Sequence, residues 1–186
     1  MRKQQEAPGE LERVRAFVNT VDLETGIDEL AEPASLTDWL VGHGLASSET
    51  RATAADLRHA LELRESLRAV LISHTEGTPA PPDAFRTLDR SAHRARLRLR
   101  FDEHGGAAVE PAAGGVEGAL GRLLAIIHAA IAQGSWVRLK ACREHTCEWA
   151  FYDHTKNRSG AWCTMQVCGN RAKARAYRER RAGSEK

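Results

Sequence analysis

Two short segments, CREHTC at residues 142–147 and CTMQVC at residues 163–168, contain all four cysteines of the 186-residue chain. Each segment holds one pair, with four residues between its two cysteines. Structural zinc binds four ligands at the corners of a tetrahedron, with sulfur about 2.3 Å from the metal. We therefore expect Cys142, Cys147, Cys163 and Cys168 to bind one structural zinc ion. An iron centre would also fit four thiolates, but nothing in the sequence points to electron transfer.

The N-terminus, MRKQQEAPGE, contains no apolar segment of the kind that begins a secretion signal. The longest apolar run, Leu123–Ala132, is too short to cross a bilayer, which takes about 20 residues. We therefore expect a cytoplasmic protein without membrane contact. Cysteines stay reduced in the cytoplasm, which favours metal binding over disulfides.

The net charge of +2 is unevenly distributed. Residues 138–186 contain 12 Lys and Arg against 5 Asp and Glu, whereas residues 1–137 contain 15 against 20. This asymmetry indicates a basic C-terminal module, suited to a polyanion, joined to a mildly acidic body. A solvated terminal helix would give the same composition.

The first 135 residues read as mainly helical. Apolar periodicity and capping residues predict helices over residues 11–19, 35–42, 53–77, 82–88 and 116–133. An acidic loop is expected over residues 20–33. In the longest helix we expect Arg64 and Arg68 to face mainly solvent.

A β-hairpin interrupts the helices. Between Ala95 and Phe101 apolar residues alternate with arginines, which predicts a strand with one arginine-rich face. His104-Gly105-Gly106 supplies the turn, and residues 107–110 form the partner strand. The arginines fit the wet face of a hairpin better than a nucleic-acid contact.

The region around the cysteines predicts a finger of its own. Strands are expected over residues 137–140 and 148–153, followed by a polar turn at residues 156–160 and a helix from Cys168 to about Arg181. This order is typical of a treble-clef finger. His145 and His154 lie near the cysteines, but four thiolates leave them no role as ligands.

The final helix has a basic stripe. At about 100° per residue, Arg171, Arg175 and Arg178 share a narrow sector. Lys173 widens the charge around the axis, and Tyr177 with Ala174 is expected to rest on the hairpin. Such a stripe can reach successive phosphates, although a solubilising amphipathic end would look the same.

The predicted fold class is therefore α+β. A mainly helical N-terminal domain with a β-hairpin is expected over residues 1–135, and a small treble-clef-like zinc finger over residues 136–186.

The sequence Cys168-Gly169-Asn170-Arg171, with Trp149, Phe151-Tyr152-Asp153 and Trp162 before it, resembles the CGNR zinc-finger family. Phe17-Val18-Asn19-Thr20 and Leu36–Leu40 resemble the ABATE domain, named for stress-induced transcription regulators, that usually precedes this finger. The resemblance implies a bacterial regulator with a zinc-binding, DNA-binding finger and an N-terminal sensing domain. Family members often carry arginines where this chain has Gly160 and Ala161. The finger should then bind DNA more weakly, or require a homodimer.

Two functions follow as hypotheses. The first is a DNA-binding transcription regulator, in which zinc fixes the finger and basic side chains meet phosphates. Its expected DNA contacts are Lys156, Arg158, Arg171, Lys173, Arg175 and Arg178.

The second hypothesis is a protein-interaction or small-ligand-sensing protein in which the zinc site is purely structural. Its effector would bind between the helices over residues 53–77 and 116–133. Its candidate lining residues are Asn19, Thr20, Asp22 and Trp39. An enzyme is not expected, because four cysteines close the zinc shell and no catalytic motif is present.

Overall fold

The computed structural model describes residues 6–184, with side chains described as far as Arg181. Over this part of the chain the main elements are helices and short antiparallel strand pairs. The helices are α1 (Leu11–Val18), α2 (Pro33–Gly42), α3 (Ala54–Glu76), α4 (Pro82–Arg94), α5 (Gly115–Ala132) and α6 (Asn170–Ser184). The strand pairs are β1 (Val21–Asp22) with β2 (Ile27–Asp28), β3 (Leu97–Phe101) with β4 (Ala107–Pro111), and β5 (Leu139–Ala141) with β6 (Ala150–Tyr152). The predicted α+β class is confirmed.

Helix α3 follows its sequence signals closely. The Thr53 hydroxyl accepts a hydrogen bond from the Asp56 N–H, and the Asp56 carboxylate accepts one from the Thr53 N–H. At the other end Gly77 adopts a left-handed conformation with φ of 72°, which glycine allows without steric cost. Reciprocal capping at one end and glycine at the other fix the predicted length of this helix.

Some boundaries differ from the prediction. Residues 20–33 contain the tight β1–β2 hairpin instead of a loop without strands, and α2 begins at Pro33, with Glu32 as its N-cap. Proline is favoured in the first turn of a helix because it needs no hydrogen-bond acceptor for its nitrogen. Helix α4 continues to Arg94, beyond the predicted end at Leu88.

Strands β3, β5 and β6 are shorter than predicted, whereas β4 extends one residue further, to Pro111. Strand β3 begins at Leu97, and β5 begins only at Leu139, after a 3₁₀ turn over Trp136–Arg138. Near the tip of the β3–β4 hairpin both faces are exposed to solvent. The arginines are exposed on one face, and Phe101 is 68% exposed on the other.

Helix α5 lies in the centre of the main core. By length and composition it could cross a membrane, but half of it is buried inside the protein. Ala119, Leu120 and Leu123 are almost fully buried in a cluster that also includes residues of α1, α2 and α3. These are the features of a central core helix.

Two arginines of α3 are buried, which corrects the expectation that they face solvent. Arg64 binds both oxygens of Asp28, at 2.7 and 2.8 Å. Arg68 donates to the carbonyl oxygens of Val18 at 2.6 Å and Glu148 at 3.2 Å. A guanidinium group has five N–H donors, so it can satisfy several acceptors from different segments at once. Each arginine therefore joins α3 to neighbouring segments of the chain.

The β5–β6 hairpin docks on the helical body through buried hydrogen bonds. The Asn19 amide, just after α1, donates to the Ala150 carbonyl at 2.9 Å and accepts from the Ala150 N–H at 2.7 Å. The imidazole Nδ1 of His74 lies 2.8 Å from the Leu139 carbonyl oxygen. Leu139, Ala141 and Ala150 also belong to the main hydrophobic core. The strands that lead to the cysteines are thus held by the helices.

Replacing Asn19 with alanine should loosen this docking. The substitution leaves the N–H and the carbonyl of Ala150 buried without their partners, which costs about 1–3 kcal/mol. Urea denaturation should show this loss in the free energy of unfolding. Asn157→Ala, in an exposed loop, is the control and should leave stability within about 0.5 kcal/mol of the wild type. Equal stability of the two variants would contradict the docking role.

Candidate metal centre and basic helix

The four cysteines come from three parts of the finger. Cys142 follows β5 and Cys147 precedes β6, whereas Cys163 lies two residues before a π-helical turn, Met165–Gly169, that contains Cys168 and leads into α6. The turn between the first two is closed by the Cys147 N–H, which donates to the Glu144 carbonyl at 2.8 Å. The Cys142 N–H donates to the Trp149 carbonyl at 3.0 Å. These backbone hydrogen bonds therefore fix the positions of Cys142 and Cys147 independently of a bound ligand.

The sulfur atoms form a compact group. All four Sγ atoms lie within 4.8 Å of one another. Cys163 Sγ lies 3.6 Å from Cys147 Sγ and 3.7 Å from Cys168 Sγ. A tetrahedron with zinc–sulfur bonds of about 2.3 Å has sulfur–sulfur edges of about 3.8 Å. The arrangement fits one structural zinc ion, as predicted.

The electrostatics of the four thiols also favour a bound cation. Hydrogen bonds from Cys147 and Cys163 lower the pKa of Cys142 to about 2. The pKa of Cys163 is raised far above the usual range by the hydrogen bonds that this residue makes with Cys142 and Cys147. Burial raises the pKa of Cys168 to about 12. Protein groups alone thus favour a thiolate at Cys142 and oppose ionisation of Cys163 and Cys168. A divalent metal ion removes this conflict because it deprotonates the thiols that bind it.

The neighbouring histidines do not join the cluster. Among the described residues, the group that could hold the metal consists of the four cysteines alone. His145 is exposed, and His154 Nε2 lies 3.0 Å from the carbonyl oxygen of Glu6. A closed shell of four thiolates leaves no open coordination position, which is typical of a structural zinc site.

A buried ion pair shapes the loop between β6 and Cys163. The Lys140 ammonium donates to the Asp153 carboxylate at 2.8 Å and to the carbonyls of Arg158 and Gly160 at 2.5 and 3.1 Å. The side chains of Lys140 and Asp153 are only 5% and 1% exposed. Burial alone would raise the pKa of Asp153, but the hydrogen bonds from Lys140, Thr155 and Gly160 lower it to about 2. This pair was not predicted from the sequence, because nothing in the sequence of a short strand indicates that one of its lysines is buried.

The same ion pair explains the glycine at position 160. A Cβ atom there would lie 2.8 Å from the carboxyl carbon of Asp153 and 2.9–3.0 Å from its oxygens. The Gly160 N–H donates to this carboxylate at 2.8 Å, and Ala161 beside it is buried. An arginine at either position would need a rearranged loop. The departure from the family pattern therefore suits the local packing.

Helix α6 turns part of its basic stripe towards the protein. Arg171 forms an ion pair of 2.6 Å with Glu24 in the β1–β2 turn. Arg175 binds both oxygens of Glu144, between the first two cysteines, at 3.0 and 3.4 Å. Each pair raises the pKa of its arginine. The expectation that these arginines bind DNA stays a prediction, but both already have a carboxylate partner.

Other side chains of α6 face solvent. Lys173 and Arg178 are exposed, and within the described part of the chain no carboxylate lies within ion-pair distance of either. Tyr177 is 55% exposed and Ala174 is exposed too, so the expectation that they rest on the hairpin is wrong. The half-buried residues of the helix are Ala172 and Ala176. Small side chains on the inward side let the helix lie close to the finger.

The predicted contacts of the polar turn are also exposed. Lys156 and Arg158 lie in the loop that the Lys140–Asp153 pair organises. Arg158 has a positive φ of 53°, and its carbonyl faces the buried ammonium while its side chain is exposed. The loop thus presents two cations on a fixed backbone.

Most of the candidate effector residues are used by the fold. Asn19 and Thr20 are buried and hydrogen-bonded, and Trp39 packs against Phe17 and stacks on His43 with ring centroids 3.9 Å apart. Asp22 accepts hydrogen bonds from its own turn. The fold itself therefore gives these polar and aromatic residues a structural role.

Among the cavities of the described residues, one lies away from these four side chains and another includes Asp22 in its lining. One of about 350 Å³ lies between α1, β4 and α5 and is not lined by the predicted effector residues. Its lining includes Arg13, Glu110, Pro111, Arg122 and Ile126. A smaller one of about 110 Å³ lies between the β1–β2 turn and the finger, with Asp22 and Glu24 on one side and three of the cysteines on the other.

Comparison with known families divides the chain in the same place as the charge does. Residues 138–181 match the family described as "CGNR zinc finger". Residues 12–133 match the family ABATE, described as "Putative stress-induced transcription regulator". No curated protein matches the chain.

Replacing Cys168 with serine should release the zinc. A neutral hydroxyl is a far weaker zinc ligand than a thiolate, and the finger cluster is small, with Phe151 buried among the cysteines and Trp149 and Trp162 half-buried against them. We expect zinc content to fall from one per chain to near zero and the tryptophan near-UV circular dichroism of the finger to diminish. His145→Ala should keep the zinc. A folded, metal-free Cys168→Ser finger would contradict the structural role.

Replacing Asp153 with asparagine should destabilise the loop. The change leaves the Lys140 ammonium buried without its counter-charge, which costs about 3 kcal/mol. Because the pKa of Asp153 in the folded protein is about 2, below its ordinary value of 3.8, the carboxylate stabilises the fold above pH 4 and this stabilisation is lost as the pH falls through about 2.

Urea denaturation of the zinc-loaded protein at pH 7 measures this effect. Asp89→Asn, which neutralises an exposed aspartate on α4, serves as the control. Similar free energies of unfolding for the two variants would show that the buried pair contributes little.

Proposed function

The chain belongs to the ABATE family and carries a CGNR zinc finger, and on this premise we propose that it is a DNA-binding transcription regulator. In this proposal residues 1–135 form the regulatory unit and residues 136–186 the DNA-binding unit. The protein acts in the cytoplasm, where DNA is accessible in a bacterium and thiols stay reduced. Zinc supplies no chemistry beyond holding the finger together, and the protein is not an enzyme.

The observation that carries the proposal is the set of exposed cations on α6 that have no carboxylate partner among the described residues. Lys173 and Arg178 are exposed and have no carboxylate partner among the described residues. Arg181 is exposed on the same helix. Cations without internal partners can neutralise phosphates and release counterions, which is the main source of affinity in non-specific DNA binding.

The loop before Cys163 supports the same function. Lys156 and Arg158 are exposed there, on a backbone fixed by the buried Lys140–Asp153 pair. Cations on fixed elements lose less conformational freedom on binding than cations on a mobile tail. With glycine and alanine at positions 160 and 161, one finger makes few phosphate contacts. A homodimer would double them, so we propose that the protein binds DNA as a dimer.

A second candidate is a small-ligand sensor or protein-interaction module with a purely structural finger. The observation that favours it is the cavity of about 350 Å³ between α1, β4 and α5. Its lining combines Arg13 and Arg122 with Glu10, Glu110 and apolar side chains, and such a mixed lining suits a small ligand with both polar and apolar groups. The two candidates are compatible, because a regulator needs both an input site and a DNA-binding surface.

The test of DNA binding is a salt titration with the full-length, zinc-loaded chain. Random duplex DNA is titrated at several salt concentrations, and the slope of log affinity against log salt is measured. The double variant Lys173→Gln/Arg178→Gln should lower the magnitude of this slope by about 1.8, because each lost phosphate contact removes about 0.9. Its zinc content should equal that of the wild type.

The matched control is Arg58→Gln/Arg86→Gln, which removes two exposed charges from α3 and α4. It should leave the slope unchanged. The proposal fails if the wild type shows no salt-sensitive binding. An equal loss of slope in both double variants would place the DNA contact away from α6.

A further inference from the structure

A side-chain ion pair joins the first turn of α6 to the N-terminal body. Arg171 Nη2 lies 2.6 Å from Glu24 Oε1, and both side chains are about half exposed, at 46% and 45%. Glu24 belongs to the turn between β1 and β2, within the region that matches the ABATE family. Arg171 is the arginine of the Cys-Gly-Asn-Arg motif in the finger. The contact therefore joins the two family regions at a functional motif.

The β1–β2 turn holds Glu24 firmly. Asp22 Oδ1 accepts hydrogen bonds from the N–H groups of Glu24 and Thr25, at 2.9 and 3.2 Å. The Gly26 N–H donates to the Asp22 carbonyl at 2.8 Å, and its φ of 74° is one that glycine adopts without strain. Local hydrogen bonds thus fix the conformation of the turn.

The base of this hairpin is anchored in the body. Arg64 of α3 binds both oxygens of Asp28, and burial of Arg64 protects this pair from solvent. Arg64 also donates to the Thr20 hydroxyl at 3.1 Å. Arg64 thus anchors the base of the hairpin to α3, and the hairpin's turn carries Glu24 to Arg171.

The two arginine–carboxylate pairs of α6 differ in how readily they open. Glu144 is only 6% exposed in its side chain and lies between two zinc-binding cysteines. Releasing Arg175 would leave that carboxylate buried without a counter-charge, so this pair belongs to the finger itself. The Glu24–Arg171 pair lies in solvent, where an ion pair is weak and screened by salt. A DNA phosphate can compete for Arg171 but not easily for Arg175.

We propose that the Glu24–Arg171 ion pair is an autoinhibitory contact, which must open before the first turn of α6 binds DNA. The inference rests on the DNA-binding function proposed above. While the pair is closed, Arg171 is neutralised, and Glu24 with Asp22 places negative charge where a phosphate would approach. Any shift of the β1–β2 hairpin on α3 would change the strength of this contact. The N-terminal body thereby regulates the finger.

The test compares Glu24→Gln with Glu29→Gln in the full-length, zinc-loaded protein. Both variants remove one negative charge from the same segment, but Glu29 is exposed and has no ion-pair partner among the described residues. Exposed ion pairs contribute little, so Glu24→Gln should bind random duplex DNA about two- to fivefold more tightly than wild type at low salt. Screening should narrow this gain at 0.5 M salt, because the Debye length shortens as the ionic strength rises. Glu29→Gln should stay within about 1.5-fold of wild type.

A second measurement, without DNA, reports on the contact itself. Amide hydrogen exchange over residues 171–178 should be faster in Glu24→Gln than in wild type and Glu29→Gln, because the helix start has lost its tether. Unchanged exchange in Glu24→Gln would overturn the contact as a restraint.

The outcomes separate this inference from the proposed function. Salt-sensitive DNA binding that depends on Lys173 and Arg178, with Glu24→Gln and Glu29→Gln alike, leaves the function standing and overturns autoinhibition. Absence of DNA binding in every variant overturns both, even if exchange in α6 becomes faster. Tighter binding by Glu24→Gln alone, with faster exchange, supports the inference.

Discussion

The finger depends on four sulfur atoms closing around one cation. Its own buried cluster consists of Cys142, Phe151, Cys163 and Cys168. An apolar core this small cannot offset the conformational entropy of the chain that surrounds it. Without the metal, the pKa values of these thiols also conflict, since one thiolate opposes the ionisation of the next. Zinc resolves both problems at once, because its binding energy is also folding energy for the finger.

The finger nevertheless does not stand apart from the body. Strands β5 and β6 contribute to the main core, and the buried side chains of Asn19 and Arg68 hold them to α1 and α3. A polar side chain that is buried and fully hydrogen-bonded is sensitive to position, because a small displacement leaves its partners unsatisfied. The metal site is therefore placed accurately relative to the helices. This placement is what allows a turn in the N-terminal region to reach the first turn of α6.

Features with local causes could be predicted from the sequence. The capping signals at Thr53 and Gly77 gave the limits of α3, and the cysteine spacing gave the metal site, because each depends on residues close in the chain. Features that depend on partners distant in the chain could not be predicted from the sequence. Arg64 and Arg68 lie near other charged residues on α3 and look solvent-facing in the sequence. Their acceptors nevertheless include Asp28, Val18 and Glu148, which are distant in the chain. Likewise, nothing in the sequence predicts that Lys140 forms an ion pair with Asp153.

Prediction of function from the sequence of the basic helix α6 is limited in the same way. A helical wheel groups Arg171, Arg175 and Arg178 on one side, but it cannot tell which way that side faces. In the folded chain the protein's own carboxylates neutralise the first two of these arginines, and a neutralised arginine adds little to the attraction of a phosphate. The charge available to a polyanion is therefore smaller than the count of arginines, and it is concentrated on Lys173 and Arg178. The charge available to a polyanion can also change. An exposed ion pair such as Glu24–Arg171 opens with little loss of free energy, whereas a half-buried one such as Glu144–Arg175 does not.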